Sequence, residues 1–287
     1  MNKYELKKKI IIGTANFTQK YGADPKKISH KEIKKILNLA KENGIYKIDT
    51  AEAYLKNKGV FKNVEKKFKF LSKITPDPRW VSLEFCQTQL ENHFKVFNKN
   101  KVETLFFHNM KILFTKNGLK VFKNLELLKK KKYFQKIGLS IYDTNCLDFI
   151  TTNYNFDVVQ CPYNILDKRI LTSGWFDKLK DQGIEIHIRS IFLQGLLVNK
   201  LVYKKKHFNK WKNLFFEWFQ YLENNNISPI DYCLNNLMSY DFDQIIIGIN
   251  SYNNLNEIIN FKEIKKNIKL IDFKLSDTKL IDPRKWK

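Results

Sequence analysis

The length and composition of the chain indicate a folded protein with a large core. It has 287 residues, of which 43% are hydrophobic and 14% aromatic, which excludes disorder as the default state and suits one barrel surrounded by helices. Lysine and arginine outnumber acidic residues by 52 to 29, so the formal charge is +23. The lysines are spread along the chain without a zinc-finger spacing or a basic aromatic cluster, which argues against a specific nucleic-acid partner and favours a mild attraction of anionic small molecules.

The cysteines and the apolar runs indicate a compartment. No two of the four cysteines form a CxxC pair or a metal-ligand spacing, so we expect free thiols in a reducing environment and no bound metal. Only three consecutive isoleucines follow the first charged residues, far fewer than the apolar region of a secretory signal peptide. No run approaches the ~20 apolar residues of a membrane span. The expectation is a cytoplasmic protein without membrane association.

Short apolar runs alternate with amphipathic segments of helical length along the chain. The predicted strands span residues 9–14, 46–49, 68–74, 102–108, 135–140, 157–162, 185–190 and 244–249. This alternation predicts an α/β protein with a (β/α)8 TIM barrel, in a single domain over 1–287 with the barrel at about 9–262 and a tail at 263–287. A doubly wound sheet is the alternative, but its GxGxxG signature is absent, because no two of the ten glycines are separated by a single residue.

Polar side chains stand where the predicted strands end, which is the face of such barrels that carries the chemistry. Asp49 ends the second strand and Tyr54 follows five residues later. Lys73 ends the third strand and His108 the fourth. A strand-end aspartate is usually a helix cap, and a lone histidine is usually a hydrogen-bonded core residue. The alternative is that Asp49 pairs with a cation, since an unpaired carboxylate there would lose its hydration.

The order of the motifs resembles the aldo-keto reductases, in their bacterial branch. The matching stretches are "GTANF…YG", "IDTAEAY", "SKI", "LFFHN", "KIGLSIYD", "VVQCPYNILDKR", "GIEIHIRSIFLQGLL" and "IIIGINSYNNLNEI". The family's catalytic tetrad falls on Asp49, Tyr54, Lys73 and His108. The resemblance implies an NAD(P)H-dependent reductase of a small aldehyde or ketone, sugar-derived ones included, that acts as a monomer or small homo-oligomer.

The chemistry gives each tetrad residue a reason to be present. A free tyrosine with a pKa of about 10 is a poor proton relay at neutral pH. An ammonium group at Lys73 would favour the phenolate of Tyr54 and lower that pKa, and Asp49 would keep Lys73 charged and aimed. His108 would donate a hydrogen bond to the carbonyl oxygen. The glycine that usually follows the family's tyrosine is Leu55 here, so we expect the turn after Tyr54 to be built differently.

The resemblance also implies a nicotinamide cofactor. The family usually uses NADPH, and NADH is the alternative. The implied cofactor residues are Gly13, Thr14, Asp49, Ser140, Gln160, Arg189, Ser190, Gln194, Gly248, Asn250, Ser251, Asn254 and Glu257. Four positions depart from the family. Ile141 replaces an asparagine, and Arg189 stands where an aromatic residue often stacks on the nicotinamide. Asn250 and Asn254 lie where members that prefer NADP usually have arginine or lysine. We therefore expect both cofactors to bind, with a ratio of affinities nearer unity than in relatives that carry the arginine.

Substrate choice in this fold belongs to loops, where sequence is a weak guide. The candidate lining residues are Tyr21, Trp80, Asn109, Tyr163, Arg284 and Trp286. Two other functions remain open at this point: a non-catalytic nicotinamide-nucleotide-sensing subunit, and an aldolase with Lys73 as the Schiff-base nucleophile. The aldolase is disfavoured because Asp49 would keep Lys73 protonated.

Overall fold

Eight parallel strands close into a barrel in the computed structural model, which describes residues 1–19, 22–23, 28–54, 58–61, 64–264, 273 and 277–286. The strands are β1 Ile10–Gly13, β2 Lys47–Asp49, β3 Lys69–Ile74, β4 Val102–Phe107, β5 Phe134–Ser140, β6 Val158–Pro162, β7 Glu185–Arg189 and β8 Gln244–Gly248. Each pairs with the next in the chain, and β8 pairs with β1 to close the barrel. The predicted barrel is confirmed, and all eight strands lie where the apolar runs predicted them.

Helices surround the barrel. They are α1 Lys3–Lys8, α2 Ala15–Thr18, α3 His30–Glu42, α4 Leu83–Lys95, α5 Gly118–Lys130, α6 Leu147–Asn153, α7 Arg169–Thr172, α8 Trp175–Asp181, α9 Lys212–Asn224, α10 Pro229–Leu237, α11 Tyr252–Ile259 and α12 Thr278–Ile281. Serine hydroxyls cap several N-termini: Ser29 accepts from the Glu32 N–H at 3.2 Å, and Ser251 accepts from the Asn254 N–H at 3.1 Å. In the described part of the chain, no helix is both long and apolar enough to cross a membrane.

Alternation along the strands separates an outer core from a small inner one. The inner core consists of Ile11, Leu71, Phe106, Val158 and Ile246. The other buried hydrophobic residues of the strands belong to the outer core, together with apolar side chains of the helices. A Cβ at Gly138 on β5 would collide with the Phe106 ring, so glycine leaves the space that this ring fills. The lumen below the catalytic face is therefore closed by apolar side chains.

The inner core also explains why polar residues at the strand ends meet. Because side chains alternate along a strand, the residue two positions nearer its carboxyl end points into the same lumen. The residues two positions beyond the inner core are Gly13, Lys73, His108, Gln160 and Gly248. Lys73, His108 and Gln160 form a polar layer above the apolar one, and the two glycines leave space beside it, at the end of the barrel where the loops after the strands converge.

Candidate active site

A buried ion pair lies at the centre of the polar layer. Lys73 Nζ donates to Asp49 Oδ1 and reaches the Thr50 carbonyl at 3.3 Å. The two charged side chains are 3% and 6% exposed. Gln160 Nε2, from β6, donates to the other carboxylate oxygen of Asp49 at 2.9 Å. Asp49 therefore accepts hydrogen bonds from an ammonium group and an amide in the lumen. This favours the interpretation that the strand-end carboxylate pairs with a cation over the interpretation that it caps a helix.

Burial controls the protonation of the two basic groups beside Asp49. It lowers the pKa of Lys73, and the adjacent Asp49 carboxylate opposes that shift by favouring the ammonium form. The pKa of His108 falls to about 4, mainly because burial disfavours the imidazolium and secondly because Lys73 is close. At neutral pH the imidazole of His108 is uncharged, so it retains one ring N–H that can donate a hydrogen bond.

Tyr54 and His108 stand together at the mouth of the barrel. Tyr54 ends the short helical turn Glu52–Tyr54, which begins three residues after the last residue of β2. Its ring meets the His108 ring edge to face, with centroids 5.8 Å apart and planes at 82°. The backbone N–H of His108 donates to the Ile74 carbonyl at 2.7 Å, and this bond fixes the end of β4 against β3. The expected difference in the turn after Tyr54 falls on residues 55–57, outside the described residues.

One cavity contains all four tetrad residues and extends over the loops after β1, β7 and β8. Twelve of the thirteen implied cofactor residues line it: Gly13, Thr14, Asp49, Ser140, Gln160, Arg189, Ser190, Gln194, Gly248, Asn250, Ser251 and Asn254. The remaining one, Glu257, is exposed on α11 and is not part of the lining. Residues that are far apart in sequence therefore share one cavity. The part of it lined by Asn16, Asn250, Ser251 and Asn254, away from the tetrad residues in the chain, is called the second arm below.

The part of the cavity that contains the tetrad residues has a hydrogen-bond acceptor that suits a carboxamide. The Gln160 side chain uses Nε2 to bond Asp49. Its other polar atom, Oε1, is buried and has no hydrogen-bond partner within the described part of the chain. Ser140 lies directly beside Gln160 in the sheet register. A buried amide oxygen without a partner costs about 1–3 kcal/mol, and an N–H of a nicotinamide carboxamide would relieve that cost. The residues present therefore fit a nicotinamide group.

Arg189 combines a cavity position with a stacking contact. Its Nη2 donates to the Ile141 carbonyl at 2.9 Å, and its guanidinium lies 4.2 Å from the centre of the Tyr142 ring. The guanidinium of Arg284, from the tail, lies 3.5 Å from the same ring centre. Tyr142 lines the cavity but was not among the residues predicted from sequence. Its signal was available, because it stands two positions after Ser140, on the alternation that aims side chains at the lumen.

The loop after β7 holds an uncommon backbone conformation. Ser190, Leu193 and Gln194 have φ values of 64°, 45° and 53°, in the left-handed region that favours glycine. The Asn164 side-chain amide donates to the Ser190 carbonyl at 3.1 Å and helps to hold this conformation. Strained residues of this kind cluster where a loop must fit a ligand, and Ser190 and Gln194 both line the cavity.

The loop after β8 is tied to the loop after β1. Asn16, the second residue of α2, donates through Nδ2 to Asn250 Oδ1. The Asn250 N–H in turn reaches Asn254 Oδ1 at 3.4 Å. Asn16 lines the cavity but has no sequence signal that distinguishes it from a surface asparagine. The two asparagines at 250 and 254 are therefore engaged with neighbouring loop groups at the second arm of the cavity.

The five expected substrate residues that the structure describes all lie outside the lining of this cavity. Trp80 and Tyr163 are buried in the core, where the Tyr163 hydroxyl donates to Asn236 Oδ1 at 2.9 Å. Asn109 lies outside the lining, and its Oδ1 accepts from the Lys111 N–H at 2.9 Å. Trp286 packs on Phe208 with ring centroids 4.9 Å apart. Arg284 approaches the cavity through Tyr142, and Tyr21 lies outside the described residues.

Comparisons with known proteins agree with this geometry. The family model described as "Aldo/keto reductase family" matches residues 9–278. Among solved structures, the holo form of aldo-keto reductase AKR11C1 from Bacillus halodurans has a TM-score of 0.71 at 15% identity, covering 90% of this chain and 88% of that chain. The protein PA4992 from Pseudomonas aeruginosa has a TM-score of 0.62 at 15% identity, covering 88% of each chain. These likenesses show the fold alone. A comparison with curated protein sequences gives no significant match.

Proposed function

The chain belongs to the aldo/keto reductase family, and on that premise we propose that it reduces an aldehyde or ketone to the alcohol at the expense of a reduced nicotinamide cofactor. The observation that carries the proposal is the buried Lys73–Asp49 ion pair in one cavity with Tyr54 and His108. Burying two charges is costly unless they are paired and hydrogen-bonded. A chain without chemistry to perform there would be served as well by apolar residues of similar size.

Tyr54 is the proton donor in this proposal. When the carbonyl carbon accepts hydride, negative charge develops on the carbonyl oxygen, and the phenol transfers its proton to that oxygen. The Lys73 ammonium, kept charged by Asp49, favours the phenolate that remains. His108 is uncharged at neutral pH and donates a hydrogen bond to the same oxygen, which aligns the carbonyl and stabilises the developing charge.

The groups that would hold the cofactor follow from the lining of the cavity. Gln160 and Ser140 would bind the carboxamide of the nicotinamide, with Arg189 against the ring. Ser190 and Gln194 would follow the phosphates, and the loop after β8 with the N-terminus of α11 would receive the adenosine end. When bound, the cofactor supplies the hydride that the protein lacks. The chain's own residues orient the carbonyl, exclude water and deliver the proton.

The decisive experiment is turnover with a panel of aldehydes, sugar-derived ones included, followed as the loss of NADH or NADPH absorbance. Reduction by the wild-type protein, lost in Tyr54→Phe, is the expected result. Cofactor binding without turnover of any carbonyl would favour the nucleotide-sensing alternative. A borohydride-trapped adduct on Lys73 in the absence of cofactor would favour the aldolase.

A further inference from the structure

The N-terminus of α11 holds a carboxylate supplied by another helix. The backbone N–H of Tyr252, the first residue of α11, donates to Glu32 Oε1 at 2.7 Å. Glu32 belongs to the first turn of α3, and its side chain is 27% exposed. Helix N-termini attract anions, phosphate groups above all. In this protein the position is taken by a carboxylate of the chain itself.

Neighbouring donors in the same turn are also engaged. The Asn254 N–H donates to the Ser251 hydroxyl, and the Asn250 N–H reaches the Asn254 side chain. The nearest cation to Glu32 that the described residues provide is Lys35, with Nζ 3.8 Å from Oε2 and its side chain 56% exposed. A pair this long and this exposed is well screened by solvent. Within the described residues, the turn therefore holds the Glu32 carboxylate beside one distant, exposed lysine, and its N–H donors at Tyr252 and Asn254 are both occupied.

This turn lines the second arm of the cavity. Asn250, Ser251 and Asn254 belong to the lining, and Tyr252 lies between them in the chain. A dinucleotide whose nicotinamide meets the tetrad must extend its phosphates and adenosine along the rest of the groove, which the loops after β7 and β8 form. The adenosine ribose is therefore expected close to the N-terminus of α11 and to Glu32.

We propose that Glu32 makes this protein prefer NADH over NADPH. The inference rests on the proposed function, because it assumes that the cavity holds a nicotinamide dinucleotide. The two cofactors differ only at the adenosine ribose, where NADPH has a 2′-phosphate and NADH a 2′-hydroxyl. A carboxylate accepts a hydrogen bond from the hydroxyl, as acidic residues do in other dinucleotide sites, and repels the phosphate. The two asparagines alone predict only that the ratio of NADPH to NADH affinity is nearer unity than in relatives that carry the arginine. With Glu32 beside the ribose, the expected ratio becomes a clear preference for NADH.

The test compares dissociation constants, measured by quenching of tryptophan fluorescence, for NADH and NADPH. The variants are Glu32→Gln, which keeps an acceptor for the Tyr252 N–H but removes the charge, and the matched control Glu42→Gln at the exposed far end of α3. The wild-type protein should bind NADH at least about tenfold more tightly, which corresponds to about 1.4 kcal/mol. Glu32→Gln should tighten NADPH binding by a similar factor, and Glu42→Gln should leave the ratio unchanged.

Two results would overturn the inference: a wild-type preference for NADPH, or a ratio that Glu32→Gln does not move. Binding of 5′-AMP and of adenosine 2′,5′-bisphosphate, measured by calorimetry, gives the same comparison for the adenosine end alone, because these two nucleotides differ only in the 2′-phosphate. That readout needs no carbonyl substrate, so the inference is decided even if the protein fails to reduce any aldehyde. Failure of every nucleotide to bind would overturn the inference and the proposed function together.

Discussion

Gln160 and Asp49 are hydrogen-bonded across the barrel lumen, with Gln160 Nε2 2.9 Å from Asp49 Oδ2. Asp49 lies on β2 and Gln160 on β6, 111 residues later in the chain. The bond fixes the amide so that its oxygen, and not its nitrogen, is presented to the cavity. Asp49 therefore has two tasks: it holds the Lys73 ammonium, and it orients the acceptor that suits a carboxamide.

The first prediction concerns that acceptor. Leucine has a volume similar to that of glutamine. Gln160→Leu should weaken cofactor binding by about tenfold or more, because the cofactor then loses a buried hydrogen bond to the amide oxygen of Gln160. The measurement is the dissociation constant from fluorescence quenching. Gln182→Leu, at the exposed C-terminal end of α8, is the matched control. Unchanged affinity in Gln160→Leu would remove Gln160 from the cofactor site.

The second prediction concerns proton transfer. Tyr54→Phe should lower kcat by about 10²-fold or more, because a positioned acid contributes on that scale. Cofactor affinity should change little, since the hydroxyl acts on the reacting oxygen in the transition state. Tyr4→Phe, at a side chain 66% exposed on α1, provides the matched control. A Tyr54→Phe protein that keeps most of the wild-type rate would contradict the assignment.

The third prediction concerns the buried ion pair. Lys73→Met should abolish reduction and also lower the free energy of unfolding by about 3–5 kcal/mol, because it leaves a buried carboxylate without its cation. The double variant Lys73→Met with Asp49→Asn should recover part of that stability without recovering activity. Urea denaturation of the wild type, both single variants and the double variant measures the coupling. If the double variant is no more stable than Lys73→Met, the pair is not coupled as the geometry indicates.

The fourth prediction concerns pH and stability. Burial lowers the pKa of His93 and of His108 from 6.5 to about 4. Between these values the unfolded chain binds protons that the folded protein does not, so stability is greatest above pH 6.5 and falls as the pH drops toward 4. The slope contributed by each histidine is at most about 1.4 kcal/mol per pH unit.

The test for this effect is the urea midpoint between pH 7 and pH 4.5. His93, whose Nε2 lies 2.7 Å from the Ser72 hydroxyl, is the histidine to replace, since His108 is also assigned to catalysis. His93→Gln should flatten the pH dependence, whatever its effect on stability at pH 7. His207→Gln, at an exposed position, should leave the dependence unaltered. A His93→Gln protein with the wild-type slope would contradict the prediction.

The sequence by itself determined the barrel and the polar layer. Apolar runs of strand length alternated with helical segments, and parallel strands in a closed barrel all end at one face. Asp49, Lys73, His108 and Gln160 could therefore be assigned to a common region without coordinates.

Only the tertiary structure decided which contacts those residues make. An aromatic residue near a strand end has the same sequence signal in the core and in a cavity, so Trp80 and Tyr163 became core residues through packing with distant elements. The bond from Tyr252 to Glu32 joins residues 220 positions apart. No local propensity specifies such a bond, because it depends on how α3 and α11 pack around the closed barrel. Sequence order set which chemical groups lie at the ends of the strands, and the packing of helices around the barrel decided which carboxylate reaches the N-terminus of α11.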